Sequence, residues 1–209
     1  MVVHWEHPMT DDGSPSTKRL FAALRFSDEA SGELMACQER ILAQLTKGRP
    51  TSRDNLHLTL CYIGPCDACQ ERTAREALDQ AVATWNRQVE DARQGIELTL
   101  GRIDTFERRR DSIVWCGPVG DAPQELALLR ADIARELDAR GLPFGSETFT
   151  PHVTLVRGAR ATTDQQRLSA QRATFTTHHD EVILMWSHHP EGGSLTYTPI
   201  HTVALGARP

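Results

Sequence analysis

The sequence has almost no lysine. Of its 23 basic residues only Lys18 and Lys47 are lysines, so arginine is the chain's default cation. No single arginine therefore reads as a phosphate clamp by residue type alone. Positive charge is also short overall: 28 acidic against 23 basic residues leave a formal net charge of −5. That balance excludes a global field for long nucleic acid or anionic membrane, so a polyanionic partner would have to be gripped locally. Long apolar runs are missing, and no secretory hydrophobic segment opens the chain, which excludes the membrane classes. Cysteines are few and odd in number, five scattered over 209 residues. A chain of this length buries a core without staples, so a disulfide scaffold is excluded and a cytoplasmic location is expected.

What is present is a mixture of helical and strand periodicities. Residues 1–17 show no period and end in a polar Gly/Ser/Pro cluster, which is expected to be a flexible leader. Residues 18–209 are expected to form one domain. Residues 19–25 are a short apolar run of strand length. Ser27 then offers an N-cap with Asp28 and Glu29 in the first turn, and the helical stripe Leu34, Ile41, Leu42, Leu45 ends at a breaker over 47–50. Residues 55–63 alternate, with Leu56, Leu58, Leu60 and Tyr62 on one face and His57, Thr59, Cys61 and Ile63 on the other. Gly64-Pro65 is expected to end that strand, and a helix bearing Leu78, Val82 and Trp85 follows. Residues 95–104 and 112–119 read as a strand pair joined by the basic loop 107–111. Asp121 is expected to cap a helix with Leu126, Leu129, Ile133 and Leu137 on one stripe, stopped by Gly141. Residues 150–156, 181–187 and 195–205 complete the strands. This order lacks strict βα alternation and favours α+β with largely antiparallel sheet.

One pattern recurs. His57-Leu58-Thr59-Leu60 and His152-Val153-Thr154-Leu155 are the only His-x-Thr-aliphatic tetrads, although the chain has nine histidines. Each strand puts its imidazole and hydroxyl on the face opposite its aliphatics. Two such strands side by side would present two imidazoles and two hydroxyls to one groove, and suggest two similar lobes facing each other. Acid–base cleavage of a phosphodiester wants that set. One protonated histidine donates to the leaving alkoxide, and a neutral one takes a proton from water. The hydroxyls of Thr59 and Thr154 can donate to non-bridging phosphate oxygens as charge builds. The scheme calls for no metal and no other cofactor.

The chain resembles the 2H phosphoesterases, specifically the bacterial and archaeal RNA 2′,3′-cyclic phosphodiesterases also called 2′-5′ RNA ligases (LigT/ThpR type). The likeness rests on R-L-F-A-A-L from Arg19, D-N-L-H-L-T-L from Asp54, I-V-W-C-G from Ile113, P-H-V-T-L-V-R from Pro151 and Y-T-P-I from Tyr197. These fall in the family's order over about residues 18–207. The resemblance implies a bilobal α+β fold, with pseudo-two-fold duplicated antiparallel sheets flanked by helices and both tetrads lining a central cleft. It implies hydrolysis of a 2′,3′-cyclic phosphate at an RNA end, tRNA fragments among the substrates, to a 2′-phosphomonoester by a monomer. It makes His57 the proton donor to the 3′ oxygen, His152 the base on water, Thr59 and Thr154 the phosphate-binding hydroxyls, and Arg157 a further substrate-binding residue.

Other residues invite competing readings. P-C-x-x-C at 65–69 would suit a deaminase zinc site, but its H-x-E partner would have to be His4-Trp5-Glu6 in the leader, so a turn opening a helix fits better. The doublets His178/His179 and His188/His189 point to opposite faces of a strand and chelate poorly. Arg108-Arg109-Arg110 is either a solvated tip or a grip on RNA phosphates upstream of the cyclic end. Phe21, Trp115 and Tyr197 are either core or rings for base stacking. At the level of function the alternatives are 2′-5′ ligation at the same site, hydrolysis of small cyclic nucleotides, and a non-catalytic RNA-end-binding module.

Overall fold

The computed structural model describes residues 17–89, 95–145, 148–161 and 174–206. Residues 1–16 of the expected leader lie outside that set. The opening strand is β1 (Lys18–Arg25), and its five residues Leu20 to Leu24 are buried. Ser27 caps α1 (Asp28–Leu42), its hydroxyl accepting from the Ala30 amide at 3.2 Å, as the sequence suggested. Next come β2 (Leu45–Pro50), a 3-10 turn (Arg53–Asn55) and β3 (His57–Cys66). Asp67 caps α2 (Ala68–Gln88) through a reciprocal capping box with Gln70. The hairpin β4 (Ile96–Glu107) and β5 (Ser112–Pro118) leads to α3 (Gln124–Ala139). Four strands finish the fold: β6 (Val153–Ala161), β7 (Phe175–His179), β8 (Glu181–His188) and β9 (Thr196–Ala204).

Every pairing is antiparallel, in the order β7-β4-β5-β6-β3-β1-β8-β9, with β2 added to β6. The two halves of this order meet at one pairing, Leu58 with Val153. Each half contains a strand–helix–strand unit, β1-α1-β3 in one and β5-α3-β6 in the other. The helices are exchanged. α1 leaves the first half and packs on β2, β6 and β7 of the second, while α3 packs on β3 and on α2, which covers the first. Gln38 of α1 fastens that exchange, its buried amide donating to the carbonyls of Thr51 at 2.9 Å and Leu155 at 2.8 Å. The α+β fold with duplicated antiparallel sheet is therefore as expected from the sequence.

Several local expectations were not met. Residues 47–50 are not a breaker but most of β2, an edge strand with polar residues and no alternation to read. β3 runs through Gly64, whose φ of 102° a glycine tolerates, and through Pro65. A proline fits there because β3 pairs with β6 at Leu58 alone, and among the described residues no strand pairs with that edge beyond it. α3 starts after Pro123 without a side-chain cap, so Asp121 does not cap it. β7 occupies a stretch the sequence left without an element.

The two tetrads share a further irregularity. Ala23 pairs with Thr59 but Ala22 with Cys61, so Leu60 is an extra residue. Likewise Trp115 pairs with Thr154 but Val114 with Val156, so Leu155 is extra. A bulge thus sits at the fourth position of each tetrad and re-aims the side chains beyond it. It turns Cys61 and Val156 into the core and brings Tyr62 back to the helix-free face beside Phe21, Ile183, Met185 and Tyr197. The expected faces of Cys61, Tyr62 and Ile63 are reversed. The same step puts Arg157 on the face of Thr154, so Tyr62 and Arg157 occupy corresponding places in the two halves.

Candidate active site

His57 heads β3, and His152 immediately precedes β6 rather than lying within it. The Leu58–Val153 pairing carries the geometry, because an antiparallel register then sets His57 across from Thr154 and Thr59 across from His152. Both imidazoles are oriented the same way. The Nδ1–H of His57 donates to the Asn55 carbonyl at 2.7 Å, and that of His152 donates to the Thr150 carbonyl at 2.7 Å. A carbonyl can only accept, so the proton of each neutral ring is held on Nδ1 and Nε2 keeps its lone pair.

Aromatic rings fix the tilt. His57 lies 4.9 Å from the centroids of both Phe21 and Tyr197, and His152 lies 4.8 Å from Phe106 and 5.9 Å from Trp115. Phe21 and Trp115 are buried at 4% and 3% exposure, so they wall the histidines and offer no open ring for a base. Tyr197 is half-buried. Asn55 supports His57 from outside the tetrad. Its side-chain amide donates to the Leu195 carbonyl at 2.7 Å and accepts from the Tyr197 amide at 3.1 Å, tying the entry of β3 to β9.

Burial pushes the His57 pKa down to about 4; the Asn55 carbonyl opposes the shift, while the charges of Arg157, His152 and Arg25 add to it. His152 is lowered too, first by burial, with Thr150 opposing and Arg157 reinforcing. Both rings are therefore neutral at neutral pH in the free protein. An anion between them reverses the sign, since a nearby negative charge favours imidazolium. The field of Arg157 reaches both histidines, which puts the three groups in one site. Thr154 is buried and Thr59 half-buried, and among the described residues neither hydroxyl has a hydrogen-bond partner.

The competing residues lie elsewhere. Cys66 ends β3 with its thiol pushed up to about 11 by burial, whereas Cys69 is exposed in the first turn of α2. His179 is buried against the Arg25 carbonyl, and His188 stacks on Trp186 and bonds Thr198. Among the described residues no group of three or more metal-ligating side chains converges. Arg108, Arg109 and Arg110 are exposed at the β4–β5 tip. Sequence reasoning missed Asn55 and Phe106. The one signal for Asn55 was its place two residues before His57, matching Thr150 before His152.

A duplicated α+β sheet with two His-x-Thr tetrads paired across its seam defines the class of this protein. The family model described as the 2′-5′ RNA ligase superfamily matches residues 26–191, and the chain belongs to that superfamily. The RNA 2′,3′-cyclic phosphodiesterase of Escherichia coli (strain K12) is 36% identical over 113 residues, 54% of this chain and 56% of that protein. The match thus spans little more than half of that relative's length. Among solved structures, Escherichia coli LigT complexed with 3′-AMP superposes with a TM-score of 0.61 at 23% identity, covering 91% of this chain and 99% of that one. A structure described as a phosphoesterase gives a TM-score of 0.64 at 24% identity, covering 92% and 100%. These likenesses show the fold. Among the described residues no helix is long and apolar enough to cross a membrane.

Proposed function

We propose that this protein hydrolyses 2′,3′-cyclic phosphodiesters at RNA ends to 2′-phosphomonoesters, as a cytoplasmic monomer and without a metal. The observation that carries the reading is the matched pair of imidazoles, each held by an Nδ1–H bond to the carbonyl two residues upstream. Both Nε2 atoms are thereby left for proton transfer, with a threonine hydroxyl beside each. The name of the Escherichia coli relative supports the substrate class.

Binding of the cyclic phosphate anion raises the pKa of both rings, so one proton is taken up by the pair. His152 Nε2 then accepts a proton from water as its oxygen bonds phosphorus. The bond from phosphorus to the 3′ oxygen breaks, and His57 delivers its Nε2 proton to that oxygen. Thr59 and Thr154 donate to the non-bridging oxygens while the Arg157 guanidinium offsets their charge. The test is one defined oligonucleotide with a 2′,3′-cyclic end, incubated in EDTA. A 2′-phosphate product is expected. A 3′-phosphate, or binding without turnover, overturns the proposal.

A further inference from the structure

Like charges directly opposite one another destabilise a sheet. Where β2 meets β6, however, Lys47 stands across from Arg160 and Arg49 across from Arg157. On the other side of β6, Ser112 pairs with Ala159, which brings the exposed tip Arg108-Arg109-Arg110 alongside the same end. Three adjacent segments thus gather seven cations within two strand spacings, about 10 Å. Glu107 and Asp111 flank the tip, yet among the described residues none of the seven cations forms an ion pair. In a chain of net charge −5 this is a local reversal of sign.

The direction of the side chains is set by Gly48. A Cβ there would lie 2.6 Å from Val156 Cγ1 and 3.2 Å from Leu45 Cδ1, so position 48 faces the core under α1. Lys47 and Arg49 on either side of it are exposed, and their pairing across to Arg160 and Arg157 puts them on the face of those two arginines. The ribbon therefore begins at the arginine whose field reaches both catalytic imidazoles and extends away from them. It carries no exposed large apolar side chain; among the described residues only Val119 is one, and it lies elsewhere. Cations without an apolar or aromatic face suit a phosphodiester backbone better than a lipid surface, which also wants apolar anchors.

We infer that the β2–β6 ribbon, with the 108–110 tip, is the track for the backbone phosphates of single-stranded RNA lying 5′ of the cyclic end. The direction of the strand rests on the proposed reading of the site, and the grip on phosphates does not. The grip is sequence-independent, and it reconciles an acidic protein with a polyanionic substrate.

The experiment compares wild type with the triple variant Lys47→Gln/Arg49→Gln/Arg160→Gln on a cyclic-ended decamer and on a 2′,3′-cyclic mononucleotide. The ratio of kcat/KM, decamer over mononucleotide, is expected to fall about tenfold, and the log–log salt slope for the decamer to lessen by about 2 for three lost contacts. An unchanged ratio, or a slope that stays the same, overturns the track. If wild type turns over neither substrate, the proposed function has failed on its own. Fluorescence anisotropy with a 3′-phosphate-ended decamer then tests the ribbon separately, and binding that resists the triple substitution overturns it. Arg160→Gln alone, with a circular-dichroism spectrum matching wild type, should give a smaller fall in the same direction; no fall from a folded single and triple variant also overturns the track.

Discussion

At His57 burial outweighs the carbonyl that would stabilise its proton, and this one balance sets the pH behaviour of the site. With His57 near 4 and His152 also below the usual 6.5, the free protein holds the required proton only on the acid side of neutrality. The value of kcat/KM reports the free enzyme, so it should peak below about pH 6.5 and fall as pH rises. The value of kcat reports the complex, where the phosphate anion raises both rings, so its profile should hold to higher pH. Separate pH profiles on a cyclic mononucleotide check this, and a kcat/KM flat from about pH 5 to 9 would argue against paired acid–base histidines. His57→Ala and His152→Ala should each lower kcat by about 10² to 10⁴. The double variant should be little worse than either single, because the two groups serve one step. The histidines and threonines were legible in the sequence because period-two alternation and a repeated tetrad carry information. Asn55 was not, because its side chain is tied to the Leu195 carbonyl, just before β9 and 140 residues away.

The strand–helix–strand units are related by a pseudo-two-fold, and the elements show where it breaks. The position five residues after each histidine holds Tyr62 in one half and Arg157 in the other, so the guanidinium belongs to the second strand alone. The tetrads themselves are interchangeable as sequence, which makes the direction of proton transfer testable. A 3′-thio-bridged cyclic phosphate has a leaving group that needs no proton. On it His57→Ala should recover most of its lost rate while His152→Ala stays impaired; the opposite pattern would swap the roles. Interior strands, the three helices and the Ser27 cap could be read from the sequence, whereas the cap expected at Asp121 is not formed. The bulges could not, since Leu60 and Leu155 look like ordinary core leucines, and the edge strand β2 was hidden by its polar residues. Gly117 shows how tightly the elements close around His152. A Cβ there would lie 2.7 Å from Trp115 Cζ3 and 3.0 Å from the Pro151 carbonyl oxygen. Gly117→Ala should therefore cost about 1–3 kcal/mol of stability by overpacking. It should also lower kcat by displacing the Trp115 wall of His152, measured by denaturant titration and turnover on the same preparation.

Across the whole molecule the exchanged helices and the single seam make each half depend on the other. His179 adds a second tie, because it ends β7 in the second half and its Nδ1–H donates at 2.9 Å to the carbonyl of Arg25, which ends β1 in the first. The ring is 2% exposed, and burial lowers its pKa to about 4. In the unfolded chain the same group titrates near 6.5. Above pH 6.5 both states hold it neutral and its contribution to stability is complete. As pH falls from 6.5 towards 4 the unfolded chain takes up a proton that the folded protein refuses, so stability is lost over that window. The loss approaches about 3 kcal/mol for this one histidine. His179→Asn provides the comparison, since its side-chain amide can donate to the Arg25 carbonyl but does not titrate. Denaturant titrations at pH 7 and pH 4.5 should show the variant losing about 2–3 kcal/mol less than wild type between the two. His57, lowered by the same cause, should supply an acid-labile share that the substitution leaves in place. An equal loss in variant and wild type would mean that His179 accepts its proton in the folded protein, and the tie between the halves would have to be other than this neutral ring.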